Sequence, residues 1–458
     1  MQQYFHRPLT AAAAPSTSPP SEPDLTSFQP LSLDPTAPDY TSLLSDELLL
    51  NVFSKLPISQ HVSNSLVCKR WLYLHGRLVQ SLKVTDWSFL TSGRVFNRFP
   101  NLTDLDLVRS CIGVSKCSGT ILTHKTMSVH VDTGFTLGGF LEKTALLPSN
   151  EVDEGLTTIA EKYPNLQRLL AIGASERGLL RIAEECSTLQ ELELHRGGDL
   201  ALKALSGIKN LQVVKLIGFI DVLYNSTISD IGLTLLAQGC RRLVKLELCG
   251  CEGSYDGVKA IGQCCQMLEE LTLSEHRMDG GWLAGLSFCG NLKTLRLRFC
   301  KSIDKWPGAD EHLGSCLTLQ ELHLQGCQIR ETQSVKALFL VCQNVRDIVL
   351  HDCFGLEDDV FGLASICRRV KLLSLKGCSL LTIKGLESVV ISWKELQRLR
   401  VMSCRNIKDT EITPELATLF STLKELKWRP DSRSLLSSSL AGTGMGKKGD
   451  RFFKRWKD

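Results

Sequence analysis

A nine-residue phrase, Leu-x-x-Leu-x-Leu-x-x-Cys, constrains this chain more than any other feature. It occurs whole at Leu292–Leu295–Leu297–Cys300 and at Leu319–Leu322–Leu324–Cys327. Variants stand at Leu243–Leu246–Leu248–Cys251, Val345–Ile348–Leu350–Cys353, Val370–Leu373–Leu375–Cys378 and Leu396–Leu399–Val401–Cys404. Phrase starts fall at 243, 268, 292, 319, 345, 370, 396 and 423, so the steps are 24 to 27 residues. A constant period of this size marks stacked repeats, each too small to bury its apolar face alone. The Leu-x-Leu part alternates and reads as a short strand. The stretch after it, as in Asp256–Cys264, reads as a helix with an acid near its start. The expected fold class is α/β: a curved solenoid with parallel strands inside and helices outside. Leucines fill the space between the layers, and the residues between them face the open concave side.

Earlier copies begin at Leu102, Leu166, Leu189 and Leu211. The steps from 102 to 166 and from 211 to 243 exceed one period. An insertion is therefore expected at about 108–150, with a possible strand at Met127–Val131 and a glycine-rich stretch at 134–139. A smaller one is expected near Asp221–Thr227. Repeats are assigned to residues 86–430, and Leu423–Leu426–Trp428, which lacks the cysteine, reads as the closing unit. Residues 1–40 are rich in Pro, Ser, Thr and Ala and are expected to be disordered. Residues 431–458 run from Ser-rich to basic and are expected to be a disordered tail.

Eighteen cysteines would suggest disulfides in a secreted protein, but their spacing argues for another role. Six occupy the ninth place of the phrase, and seven more (Cys186, Cys240, Cys265, Cys289, Cys316, Cys342 and Cys367) sit three residues before the next phrase. Positional equivalents of this kind suit packing at tight turns, in a reducing compartment. Metal binding would need repeated close ligand pairs, and only Cys249-Gly-Cys251 and Cys264-Cys265 come near that. No metal and no cofactor are expected. Without an apolar run of about 18 residues no membrane span is expected, and the N-terminus does not read as a secretory signal. The tail 441–458 carries six bases and two acids, which is the whole net charge of +4; the rest balances at 47 bases against 47 acids. A neutral body argues against nucleic acid as a partner. The tail reads as a nuclear import signal, a surface-binding peptide or a solvated end. The expected localisation is nucleus and/or cytoplasm.

Ahead of the repeats, a helical block is expected from about residue 41 to 85. Ser45 can cap a helix with Asp46 and Glu47 in its first turn and Leu48, Leu49, Val52, Phe53 and Leu56 on one broad face. Pro57 ends it, and Ser59 is a second possible cap. A second helix would carry Val62, Leu66 and Val67, and a third Trp71, Leu72, Leu74 and Leu78. The run from Leu44 to Pro57, followed by Ser65-Leu-Val-Cys-Lys-Arg-Trp71, closely resembles an F-box. One departure is that Ser45 holds the place of the proline common at the motif's start. The phrase itself resembles the cysteine-containing leucine-rich repeat (LRR) of F-box proteins, most like the plant members. The resemblance implies a substrate receptor of an SCF (Skp1–cullin–F-box) ubiquitin ligase. Its partners would be a Skp1-like adaptor, through it a cullin, and an unidentified protein substrate. The Skp1-facing residues it implies are Leu44, Leu48, Val52, Phe53, Leu56, Pro57, Leu66, Val67, Cys68 and Trp71. The plainer reading of the same block is a helical cap on the first repeat.

Concave-facing positions read from the phrase include Arg296, Arg298, Lys376, Arg398 and Arg400, then Lys427 and Arg429. The acids Glu321, Asp347, Asp352 and Glu425 lie among them. The first five bases are candidate contacts for an acidic or phosphorylated substrate segment; a mixed, solvated strand surface is the alternative. His195, His276, His323 and His351 fall in different repeats without a nucleophile motif or a phosphate-binding loop, so no catalytic residue is assigned. Two other functions stay open: a non-ligase LRR scaffold, and a small-molecule receptor of F-box type.

Overall fold

A computed structural model describes residues 40–112, 146–218 and 228–431. The N-terminal segment, the strand at Met127–Val131, the glycine-rich stretch, the 221–227 insertion and the basic tail fall outside the described residues. The chain divides into two compact units, residues 1–56 and 57–458.

In the first unit a short 3-10 turn, Tyr40–Leu43, leads into helix α1, Asp46–Lys55. Ser45 caps it as expected: its Oγ accepts from the Leu48 N–H at 3.3 Å. Asp46 and Glu47 lie at the positive end of the helix. Leu49 and Phe53, one turn apart, are buried, whereas Leu48 and Val52 on the neighbouring stripe are exposed.

The second unit opens with helices α2 (Ile58–Ser65) and α3 (Lys69–Leu78). Two expectations need correction here. Ser59 is not a cap but lies inside α2, whose first flanking residue is Pro57, because proline presets the backbone angle needed just ahead of a helix. Leu66 and Val67 are not helical: Leu66 ends α2 and Val67 lies in the turn beyond. Cys68 caps α3, its Sγ accepting from the Trp71 N–H at 3.5 Å.

Thirteen parallel strands follow in strict chain order within one sheet. They are Ser81–Lys83 (β1), Asp104–Asp106 (β2), Arg168–Ile172 (β3), Glu191–Gly197 (β4), Val213–Gly218 (β5), Lys245–Cys249 (β6) and Glu270–Ser274 (β7). Thr294–Arg298 (β8), Glu321–Gln325 (β9), Asp347–His351 (β10), Leu372–Lys376 (β11), Arg398–Met402 (β12) and Glu425–Arg429 (β13) complete it. The sheet therefore starts before Leu102. β1, which the phrase does not mark, pairs Leu82 with Leu105. Its neighbour α3 is tied to the start of the stack, since Asn101 Nδ2 donates to the Arg77 carbonyl at 2.8 Å.

Parallel register brings equal phrase positions side by side. Leu246, Leu271, Leu295, Leu322, Ile348, Leu373 and Leu399 form one column, and Leu248, Leu273, Leu297, Leu324, Leu350, Leu375 and Val401 a second. Every one of these is 0–1 % exposed. Each such burial stabilises by about 1.5–3 kcal/mol, so the columns are the core.

After each of the strands β6 to β12 one residue adopts the left-handed conformation: Gly250, Glu275, Phe299, Gly326, Asp352, Gly377 and Ser403, with φ of 48–67°. Its N–H donates across to the end of the next strand, as Gly326 does to the His351 carbonyl at 2.8 Å. Asp352 thus sits in this turn and not on the concave strand surface where the phrase put it. The turn swings the ninth residue inward. Cys300, Cys327, Cys353 and Cys378 donate their S–H to the carbonyls of Leu273, Leu297, Leu324 and Leu350 at 3.4–3.7 Å. The second cysteine set does the same for helix ends: Cys265, Cys316 and Cys367 reach the carbonyls of Cys240, Cys289 and Cys342 at 3.5–3.7 Å. A thiol is small enough for the turn and still satisfies a buried carbonyl. Burial pushes the thiols of Cys240, Cys265 and Cys367 up to about 12, far from a reactive thiolate.

The helices are joined by a device the phrase does not contain. Asp230, at the start of helix 230–239, reaches the cap of the following helix and accepts from Ser254 N at 2.8 Å and Ser254 Oγ at 2.7 Å. Asp199 treats Ser229 in the same way, Asp153 Ser175, and Asp358 Thr382. Three residues beyond each cap stands a glycine: Gly178, Gly232, Gly257 and Gly385. A Cβ on Gly257 would lie 2.3 Å from the Asp230 carboxylate oxygen, so only glycine leaves room for the acid.

Candidate functional site

Two surfaces are candidates: the N-terminal helices and the open face of the sheet. Among the described residues, nineteen large apolar side chains are exposed, and nine of them fall within residues 40–73. Five of the nine belong to the first unit and four to the second. On α1 and the residue leading into it, Leu44, Leu48 and Val52 are 38 %, 54 % and 51 % exposed. In the second unit Leu66 and Val67 are 78 % and 61 % exposed, with Pro57 and Cys68 also exposed. Leu56 and Trp71 are half-buried. Phe53 departs from the expected set. At 1 % exposure it faces the interior, because a residue one turn from the buried Leu49 shares its stripe. It shares the buried stripe of α1 with Leu49.

The open face is built from the residues between the leucines. Arg296, Arg298, Lys376, Arg398 and Arg400 all lie on it, as expected, and four of them meet acids. Arg296 Nε is 2.9 Å from Glu270 Oε1, and Arg298 Nη1 is 3.6 Å from Glu247 Oε1. Arg398 reaches over Leu372 to Asp347 at 3.1 Å. Arg400 grips Glu425 with two donors, at 3.0 and 3.2 Å. This fork, with Lys427 at 3.3 Å, holds the Glu425 carboxyl below its usual range. Lys376 and Arg429 have no acidic partner among the described residues. A phosphate arriving at these four arginines meets guanidinium groups that are already neutralised.

Further along the same face, His195 is 1 % exposed and its Nε2 lies 2.7 Å from Glu193 Oε1, with Lys215 Nζ at 3.3 Å from the same oxygen. Burial opposes the charge on Glu193, but His195 and Lys215 keep its carboxyl below the ordinary range. The i, i+2 spacing of Glu193 and His195 on a strand is the signal for this pair. His276 takes the ninth place of its phrase, is 4 % exposed, and stacks edge-on to Trp282 at 5.4 Å. Burial pushes it down to about 4, so it is a neutral core imidazole. Among the described residues, no three His, Cys, Asp or Glu side chains are grouped to hold a metal ion, and no helix is long and apolar enough to cross a membrane.

Comparison with known proteins bears on the helical surface first. The F-box domain model matches residues 41–74, which covers α1, α2 and the first part of α3. The chain is similar to human F-box/LRR-repeat protein 12, with 23 % identity over 328 residues that span 66 % of this chain and 92 % of that protein. Among solved structures it is similar to an internalin from Listeria monocytogenes, at 13 % identity and a TM-score of 0.35 over 63 % of this chain and 86 % of that one. It is also similar to a chain of the Toll–Spatzle complex from Drosophila, at 13 % identity and a TM-score of 0.35 over 60 % of this chain and 42 % of that one. An F-box match over residues 41–74, a relative named as an F-box/LRR-repeat protein, and a stack of leucine-lined parallel strands together support an F-box/LRR protein.

Proposed function

We propose that this chain is the substrate-recognition subunit of an SCF-type ubiquitin ligase. Its F-box docks on a Skp1-like adaptor and so on a cullin, and its repeats hold a target protein for ubiquitination and proteasomal degradation. The observation that carries the reading is the F-box match over the very residues where exposed apolar side chains gather. In the first unit Leu44, Leu48, Val52, Phe53 and Leu56 would serve the contact, and in the second unit Pro57, Leu66, Val67, Cys68 and Trp71 would do so. On this reading the chain has no catalytic residue of its own. It contributes proximity, which raises the effective concentration of the target near the ubiquitin carrier. On the open face Lys376 would meet the target as a free cation, and Arg296, Arg298, Arg398 and Arg400 as members of ion pairs. We place the protein in the nucleus and/or cytoplasm, where its many thiols would stay reduced; fluorescent tagging of the full chain, with and without residues 441–458, tests this.

The deciding experiment is capture of the full chain by immobilised Skp1. We expect the intact protein to bind and Leu48→Asp or Leu66→Asp to weaken binding at least about tenfold, since each puts an unpaired charge into an apolar contact. Failure of the intact chain to bind, or equal binding by both variants, defeats the reading. The scaffold alternative is favoured by one observation, the hydrogen bond from Asn101 to Arg77, which makes α3 a lid on the stack. It predicts that Leu74→Ala, at a buried position of α3, lowers stability whether or not Skp1 binds.

A further inference from the structure

Three arginines without an acidic partner among the described residues lie off the open face. They stand on the edge where the strands begin. Arg346, the residue ahead of β10, donates its N–H to the Gln320 carbonyl at 2.8 Å, and the Lys371 N–H, ahead of β11, reaches the Arg346 carbonyl at 2.6 Å. This ladder keeps the edge rigid. Arg346, Arg368 and Arg369 are exposed there, and none meets a carboxylate among the described residues.

Two cavities adjoin along this edge. The larger, of ≈ 540 Å³, has Arg368 and Arg369 in its wall. The smaller, of ≈ 190 Å³, has Arg346 and Arg369. Arg369 and Asn344 belong to both. The remaining polar lining consists of amides, hydroxyls and Lys293, whose ammonium is held by Glu269 at 2.6 Å. No acidic residue lines either cavity. Each cavity therefore offers two guanidinium forks and neutral donors to an anion, with no carboxylate in its wall.

We infer that this edge is a docking site for an acidic segment of a partner protein, seating one carboxylate side chain in each cavity. Two adjoining cavities that share Arg369 fit two singly charged groups in series along an extended segment. The 47-to-47 charge balance outside the tail argues against a broad polyanion such as nucleic acid. The inference rests on reading the repeats as the part that holds a protein target.

The test uses the full chain and a fluorescein-labelled decapeptide of alternating Glu and Ala, read by anisotropy at low salt. Three comparison probes are the Gln-for-Glu peptide, a phosphoserine-for-Glu peptide and single-stranded RNA. The edge variant is Arg346→Gln/Arg368→Gln/Arg369→Gln. The control variant is Lys447→Gln/Lys448→Gln/Lys454→Gln, since the basic tail also attracts acids. We expect the Glu probe to bind at least about tenfold more tightly than the Gln probe, the edge variant to lose at least about tenfold, and the tail variant to stay within about twofold. If the triple variant does not fold, Arg369→Gln, which touches both cavities, takes its place. The inference is overturned if the edge variant binds the Glu probe unchanged, if the tail variant carries the loss, or if RNA or the phosphoserine peptide occupies the edge at least about tenfold more tightly. Skp1 capture measured on the same preparations reports the docking helices separately, so failure of one surface is not mistaken for failure of the other.

Discussion

Leucine does opposite jobs in the two parts of this molecule. Leu48 of the F-box is 54 % exposed, whereas Leu297 of the repeats is 0 % exposed. Both lie in regular, apolar, periodic segments. What separates them is the supply of partners. The inward strand leucines from Leu246 to Leu399 meet the equivalent Leu, Ile or Val of the next strand, so the stack satisfies itself. The F-box is a short block that buries one stripe, Leu49 and Phe53, and leaves the neighbouring stripe bare. A repeat stack buries its apolar residues within itself; the F-box leaves some exposed.

That contrast can be broken by exchanging the kind of damage done. Leu297→Ala should lower unfolding stability by about 2–5 kcal/mol, seen as a lower urea midpoint. Leu48→Ala should leave the midpoint nearly unchanged and weaken Skp1 capture instead. Equal loss of stability from both would show that the F-box stripe is core.

The second test concerns a residue that interrupts the cysteine column. His276 is pushed down to about 4 by burial, against an ordinary 6.5. An unfolded chain takes up a proton at pH values where the folded chain does not. Stability is therefore full above about pH 6.5 and falls as pH drops toward 4, by roughly 3 kcal/mol over the whole window. His276→Cys should flatten that part of the curve, measured as urea midpoints from pH 7.5 to 4.5; a parallel curve would refute the account.

Smaller effects probe how neighbouring repeats hold one another. Asp230→Ala removes the acceptor of the Ser254 cap and should cost about 1–2 kcal/mol. Adding Gly257→Ala to Asp230→Ala should then cost less than Gly257→Ala alone, because the carboxylate it would strike is gone. Smallest of all, Arg400→Gln should change stability by less than about 1 kcal/mol and shrink the salt dependence, since the Glu425 pair is half-exposed.

Much of this was legible in the residues. The strand leucines, the ninth-place cysteines and the Ser45 cap sit where their local pattern puts them. The errors have a common cause. β1 carries no pattern of its own because three residues hold no period. The phrase assigns Asp352 to the open face because it does not reveal that the chain turns left-handed after His351. The Ser/Thr-x-x-Gly signature at 175, 229, 254 and 382 was in plain view, but its meaning depends on an aspartate 22 to 30 residues earlier.

The sequence by itself determined the period, the two-part plan and which leucines form the core, because alternation along a strand and spacing along a helix are properties of a few adjacent residues. Which charges are free follows from the packing of distant strands. Arg398 is matched to Asp347, 51 residues away, and Arg346 to no acid among the described residues. That outcome depends on register and on which side chain the neighbouring strand presents, and a local pattern carries neither.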